Sequence, residues 1–134
     1  MTQSIYINLP VESVERSRAF YGGLGFGFNE QFSNEQAVSV VLADNIFVML
    51  LAKPFFASFT DKAIADAQSS SEVLNCLSCD SRERVDELVR LARQHGGKPH
   101  REPKDHGFMY AHGFEDPDGH IWEVMHMPVS VGKR

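Results

Sequence analysis

The chain has 134 residues, 43% of them hydrophobic and 23% charged; this composition excludes a disordered or low-complexity chain and fits one ordinary globular domain with enough apolar material for a core. Its formal net charge of −5 excludes the basic stripe that a nucleic-acid partner requires. No apolar run is long enough to span a bilayer and no N-terminal signal peptide is visible, so no membrane partner is expected and the expected location is the cytoplasm.

Residues 5–9 alternate and are β-branched, which predicts a strand. Val14, Ser17, Phe20, Tyr21 and Leu24 then recur at helical spacing and predict a helix over 11–23, stopped by Gly22, Gly23 and Gly25. Three strands are expected next, over 26–32, 37–43 and 46–51, with Asp44-Asn45 turning the last hairpin. Residues 55–71 form a connector that includes Gln68-Ser69-Ser70-Ser71 and has room for a short helix over 60–67. Its phenylalanines Phe55, Phe56 and Phe59 either anchor it to the core or wall a pocket.

The same order then recurs. Residues 73–79 read as a strand, and Asp80-Ser81 as a helix N-cap. Val85, Leu88, Val89 and Ala92 mark one helix face, with Arg82, Arg84, Arg90 and Arg93 spaced for solvent, and Gly96-Gly97 ends the helix. Strands are expected over 98–102, 108–115 and 121–127, the last two joined by the turn Asp116-Pro117-Asp118-Gly119. At an offset of 68 residues, Ile5 falls on Val73, Glu12-Ser13 on Asp80-Ser81, Glu15-Arg16 on Glu83-Arg84, and Phe20-Tyr21 on Leu88-Val89. Agreement of these positions with the element order argues for duplication. The fold class is therefore α+β, with two βαβββ modules forming a curved mixed sheet and their helices outside. Module one covers about 1–54, the connector 55–71, module two 72–128, and a short tail 129–134.

Cys76 and Cys79 have the spacing of a zinc or redox pair. On a strand, however, residues three apart point to opposite faces, so two small buried side chains in a reducing compartment are expected.

Several segments carry a resemblance. Asn8-Leu9-Pro10-Val11, Glu15-Arg16-Ser17-Arg18-Ala19-Phe20-Tyr21 and Leu24-Gly25-Phe26 resemble the opening of the glyoxalase/bleomycin-resistance/dioxygenase proteins, the vicinal oxygen chelate superfamily. Phe114-Glu115-Asp116-Pro117-Asp118-Gly119-His120-Ile121-Trp122-Glu123-Val124 resembles their ending. The resemblance implies paired modules, a homodimer, and sites in the concave sheets. In metal-using members four inward-facing side chains hold one divalent ion, and the matching positions here are Tyr6, Met49, Leu74 and Glu123. Leu74 has no donor atom, the thioether of Met49 is too soft for Zn, Mn or Ni, and Tyr6 binds only as a phenolate. One carboxylate does not replace the usual set of about three protein ligands, so no metal and no other cofactor is expected.

The remaining inner surface should be apolar with few polar points, which suits a small-molecule pocket. The residues expected at the ligand are Tyr6, Asn8, Met49, Leu74, Cys76 and Glu123. Glu123 is also the candidate catalytic acid or base. The facing of Tyr110 and His112 is open, and the other histidines of the second half (His95, His100, His106, His120 and His126) read as structural or surface residues. Two functions follow. One is a metal-independent protein that binds an apolar or aromatic small molecule. The other is a lyase-, isomerase- or dioxygenase-like enzyme using Glu123 as acid/base or as sole remaining metal ligand, with Tyr6 stabilising an oxyanion. True glyoxalase I activity is not expected.

Overall fold

The computed structural model describes residues 3–128, so the expected tail over 129–134 lies outside the described residues. The chain divides into two compact units, Met1–Asp66 and Ala67–Arg134. Each holds a mixed sheet with a helix on one face, an α+β architecture.

In the first unit, β1 (Ile5–Val11) runs parallel to β4 (Ile46–Ala52), which pairs antiparallel with β3 (Ala37–Ala43), and β3 with β2 (Gly27–Phe28). The sheet order is β1-β4-β3-β2. Helix α1 (Val14–Gly23) packs on β3 and β4 and buries Ser17, Phe20 and Tyr21. Leu9, Val11, Val38, Val40, Val48 and Leu50 are buried; by alternation they share the face that the helix covers. The helix starts later than the periodicity suggests, because the strand continues through Pro10. β1 is an edge strand, where a missing N–H costs the ladder nothing. Ser13 then caps the helix, its hydroxyl accepting from the Arg16 N–H at 3.1 Å.

The expected strand over 26–32 is shorter than predicted. Asn29 caps a 3₁₀ turn at Glu30–Phe32, accepting from the Gln31 N–H, and this ends β2. The connector's helix also lies elsewhere: α2 covers Lys53–Ala57, and residues 60–67 are not helical. Pro54 at its start suits a first helical turn. Helix α2 packs on β1 and β4 of its own unit, with the rings of Phe55 and Phe59 edge to face at 5.1 Å. Phe55 and Phe56 are half-buried and Phe59 is exposed.

The second unit repeats the plan. β5 (Leu74–Ser78) runs parallel to β9 (Ile121–His126), and β9 pairs antiparallel with β8 (Tyr110–Glu115). Beyond β8 lie two short strands, β6 (Lys98–Pro99) and β7 (Lys104–Asp105), where one strand over 98–102 was expected. The break follows from the backbone: Arg101 takes a left-handed φ of 63°, and Pro103 follows closely. Helix α3 (Arg82–Gln94) is capped by Ser81 and buries Val85, Leu88, Val89 and Ala92 against β6, β8 and β9. Phe114 and Trp122 stack at 6.4 Å beneath it.

Candidate functional site

Strand alternation leaves one face of each sheet without a helix. In the first unit Tyr6 pairs with Phe47 and Asn8 with Met49 on that face. The Tyr6 and Phe47 rings stack at 4.9 Å, and Tyr6 remains 56% exposed. In the second unit Leu74 pairs with Ile121 and Cys76 with Glu123. Leu74 is 57% exposed. The pairs Asn8–Met49 and Cys76–Glu123 occupy equivalent places in the two parallel ladders. Alternation thus puts Tyr6, Asn8 and Met49 on one open face, and Leu74, Cys76 and Glu123 on the other.

The expectation of two buried cysteines is corrected. Cys76 is exposed because it lies on the uncovered face of an edge strand, and Cys79 is partly buried just past the strand end. Partial burial and then the Glu123 carboxylate push the Cys76 thiol above its ordinary pKa. It is therefore a neutral thiol at neutral pH, and a poor nucleophile or ligand.

Over the open face of the second sheet lies an open concavity of about 500 Å³. Leu74, Met109, Ala111 and Ile121 supply apolar wall; His100 and Glu123 supply polar atoms, and Arg101, Glu102 and Lys104 bring charges of both signs to the lining. His100, which the sequence places among the structural or surface histidines, lies in the lining of this concavity. Its backbone N–H donates to the Gly113 carbonyl at 2.9 Å, which continues the ladder one residue past β6 and puts its side chain on the open face. There its Nδ1 lies 3.6 Å from Glu115 Oε2 and its Nε2 lies 4.0 Å from Glu123 Oε2. Lys98 Nζ stands 4.0 Å from the other Glu115 oxygen. The face is more polar than alternation on the central strands alone suggests.

Tyr110 and His112, left open by the sequence, pair with His126 and Val124 on the helix-covered face. Tyr110 donates to Asp86 of α3 at 2.6 Å. The His112 ring lies 3.0 Å from the Arg101 carbonyl and borders the concavity through that loop. His126 Nδ1 lies 2.9 Å from the Cys79 carbonyl, a structural contact.

A family model described as Glyoxalase/Bleomycin resistance protein/Dioxygenase superfamily matches residues 4–124. The chain belongs to this superfamily. Solved structures share the fold. A hypothetical protein from S. aureus is 28% identical over 94% of each chain, with a TM-score of 0.79. A glyoxalase-related enzyme from Fulvimarina pelagi is 21% identical over 96% of this chain and 91% of that one, with a TM-score of 0.81. A bleomycin resistance determinant encoded on the transposon Tn5 is 22% identical over 96% of this chain and all of that one, with a TM-score of 0.67. No curated protein matches the chain.

The metal that many superfamily members hold does not fit these residues. Of Tyr6, Met49, Leu74 and Glu123, only Glu123 offers an ordinary hard donor, and the Tyr6 ring is stacked on Phe47. Among the described residues, no three of His, Cys, Asp and Glu converge on a point where an ion could sit. His100 with Glu123 and Glu115 comes nearest, but its two ring nitrogens point to different carboxylates.

Proposed function

We propose that this chain is a metal-independent small-molecule binding protein, taking an apolar or aromatic ligand on its open sheet faces and acting as a homodimer. The observation that carries the reading is the donor set. Three of the four positions that a metal-using member would fill with ligands hold Tyr6, Met49 and Leu74, and a lone carboxylate holds a divalent ion weakly. The concavity beside Glu123 adds support: Leu74, Met109, Ala111 and Ile121 give it an apolar stretch, and His100 and Glu123 offer polar groups beside it, with Arg101, Glu102 and Lys104 also in its lining. A further solved structure with this fold, 22% identical at a TM-score of 0.63, is a bleomycin-binding protein complexed with bleomycin; it supports a binding role within this fold.

The test is calorimetry on chelator-stripped protein with Ni, Zn, Mn and Fe(II), beside Glu123→Gln. The expected result is no binding tighter than about millimolar, unaffected by the substitution. Micromolar one-to-one binding that Glu123→Gln abolishes would sink the reading. It would favour instead an enzyme of this superfamily with Glu123 as its remaining metal ligand.

A further inference from the structure

We infer that His100 and Glu123 form a two-point site for a hydroxyl group, so that the ligand class is an aromatic or apolar alcohol. The inference rests on the small-molecule reading above. The 4.0 Å between His100 Nε2 and Glu123 Oε2 is too long for a direct hydrogen bond. It is the right width for one bridging oxygen. An oxygen about 2.8 Å from each atom, an ordinary hydrogen-bond length, sees the two partners at close to a right angle. With hydrogen on Nε2, the imidazole donates to that oxygen and its O–H donates to the carboxylate.

The His100 backbone is fixed by its ladder bond to Gly113, which aims the ring at the open face. At Gly113 a Cβ would lie 3.1 Å from the Trp122 carbonyl oxygen, a tight contact, and in ordinary contact with His100. Glu115 flanks the other ring nitrogen of His100 at 3.6 Å. The loop beyond is fixed through Arg101, whose left-handed backbone is accompanied by the His112 contact to its carbonyl. The side chains of His100 and Glu123 are 22% and 35% exposed, so both reach the concavity while partly withdrawn from water.

Charge selects among ligand groups. At the His100–Glu123 gap itself a carboxylate would meet Glu123 and the nearby Glu115, although Arg101 and Lys104 also line the concavity and Lys98 flanks Glu115, and an ammonium would meet the His100 N–H. An ether oxygen can accept from His100 but leaves Glu123 without a donor. Of these groups a neutral hydroxyl satisfies both, taking the place of a bridging water, while the ring system it is attached to lies against Leu74, Met109 and Ile121.

The experiment titrates the full chain with 2-naphthol and with 2-methoxynaphthalene, followed by naphthalene fluorescence. The same titrations are run on His100→Leu and His100→Gln, with circular dichroism melts confirming that both variants fold. The wild-type chain is expected to prefer the naphthol by roughly tenfold or more, since two hydrogen bonds, one to a carboxylate, are at stake. His100→Leu should bring the ratio close to one, and His100→Gln, which keeps an N–H donor, should restore part of it. Equal binding of the two probes by the wild type would overturn the hydroxyl site and leave the aromatic-ligand reading standing. A preference that survives in His100→Leu would also overturn it. Binding of neither probe would count against the aromatic-ligand reading itself, and the hydroxyl site would fall with it.

Discussion

At Gly119 the backbone φ is 91°, and a Cβ would lie 2.8 Å from the Ala67 carbonyl oxygen. Around it the Asp116 carboxylate accepts from the N–H groups of Asp118 and His120, at 3.0 and 2.9 Å, and the Gly119 N–H donates to the Asp116 carbonyl. Any side chain therefore meets a left-handed backbone and a fixed carbonyl together. Gly119→Ala is expected to lower stability by roughly 2–4 kcal/mol in urea titration. Gly27→Ala is the control, because a Cβ there has nothing within 4 Å; it should change stability by no more than about 0.5 kcal/mol. Equal effects would show that this steric reading of the turn is wrong. The turn was legible in the sequence because Asp-Pro-Asp-Gly encodes its own geometry. His100 was not, because its place depends on a ladder bond to Gly113, thirteen positions on in the chain, that no local pattern announces.

Among the elements, the hairpin of β7 and β8 depends most on side chains outside its ladder. β7 has only Lys104 and Asp105, and both pair with β8. Arg82, at the start of α3, reaches both Asp105 oxygens at 2.8 and 3.0 Å and lies over the Tyr110 ring at 4.9 Å. Tyr110 in turn donates to Asp86 on the same helix. This clamp ties to α3 a hairpin whose other residues, Lys104, His106 and Met109, border the concavity. The hydrogen bond from Arg82, then that from the Gly107 N–H, hold the Asp105 carboxyl below its ordinary pKa. The bond to Asp86, burial and the Asp86 charge push the Tyr110 phenol above its ordinary value. The signs follow from linkage. The Asp105 contribution is whole above the ordinary carboxylate pKa and fades as pH falls through the depressed one. The Tyr110 contribution is whole below the ordinary phenol pKa and fades as pH rises toward the raised one. Amide exchange of residues 104–111 should speed up at both extremes, and Arg82→Ala should remove the acid limb alone. Since the Arg82–Asp105 pair is solvent-exposed, its effect should stay local, with little change in global stability. An exchange profile in Arg82→Ala identical to that of the wild type would disprove the clamp. Both long helices and the central strands were readable from the apolar positions of α1 and α3 and the caps Ser13 and Ser81. β7 and the 3₁₀ turn at Glu30–Phe32 were not, because long-range pairing decides the first and a local cap at Asn29 the second.

At the scale of the whole molecule, the duplication has a consequence for assembly. Apolar residues recur at an offset of 68 at the start of β1 and just before β5: Ile5 and Val73 are 53% and 49% exposed, and Tyr6 and Leu74 are more exposed still. Among the described residues, β1 and β5 are both edge strands with no strand on their outer side. Apolar side chains on open strand edges are costly to leave in water and invite pairing with another chain. The proposed homodimer covers one or both of these edges. Tyr6 and Leu74 are unsuitable for testing this, since both stand at candidate ligand positions. Ile5 points to the other face of its sheet by alternation, Val73 lies just before β5, and neither borders the concavity. Sedimentation equilibrium at micromolar concentration should give twice the chain mass for the wild type. The double variant Ile5→Lys, Val73→Lys should shift it toward the monomer, because each new charge must be desolvated at the seam. Its naphthol titration then separates two arrangements. Unchanged binding in the monomer would place the ligand site within one chain, and lost binding would mean that the partner completes it. A wild-type chain that sediments as a monomer at all concentrations would refute the dimer, leaving the exposed first strands as edges that no second copy covers.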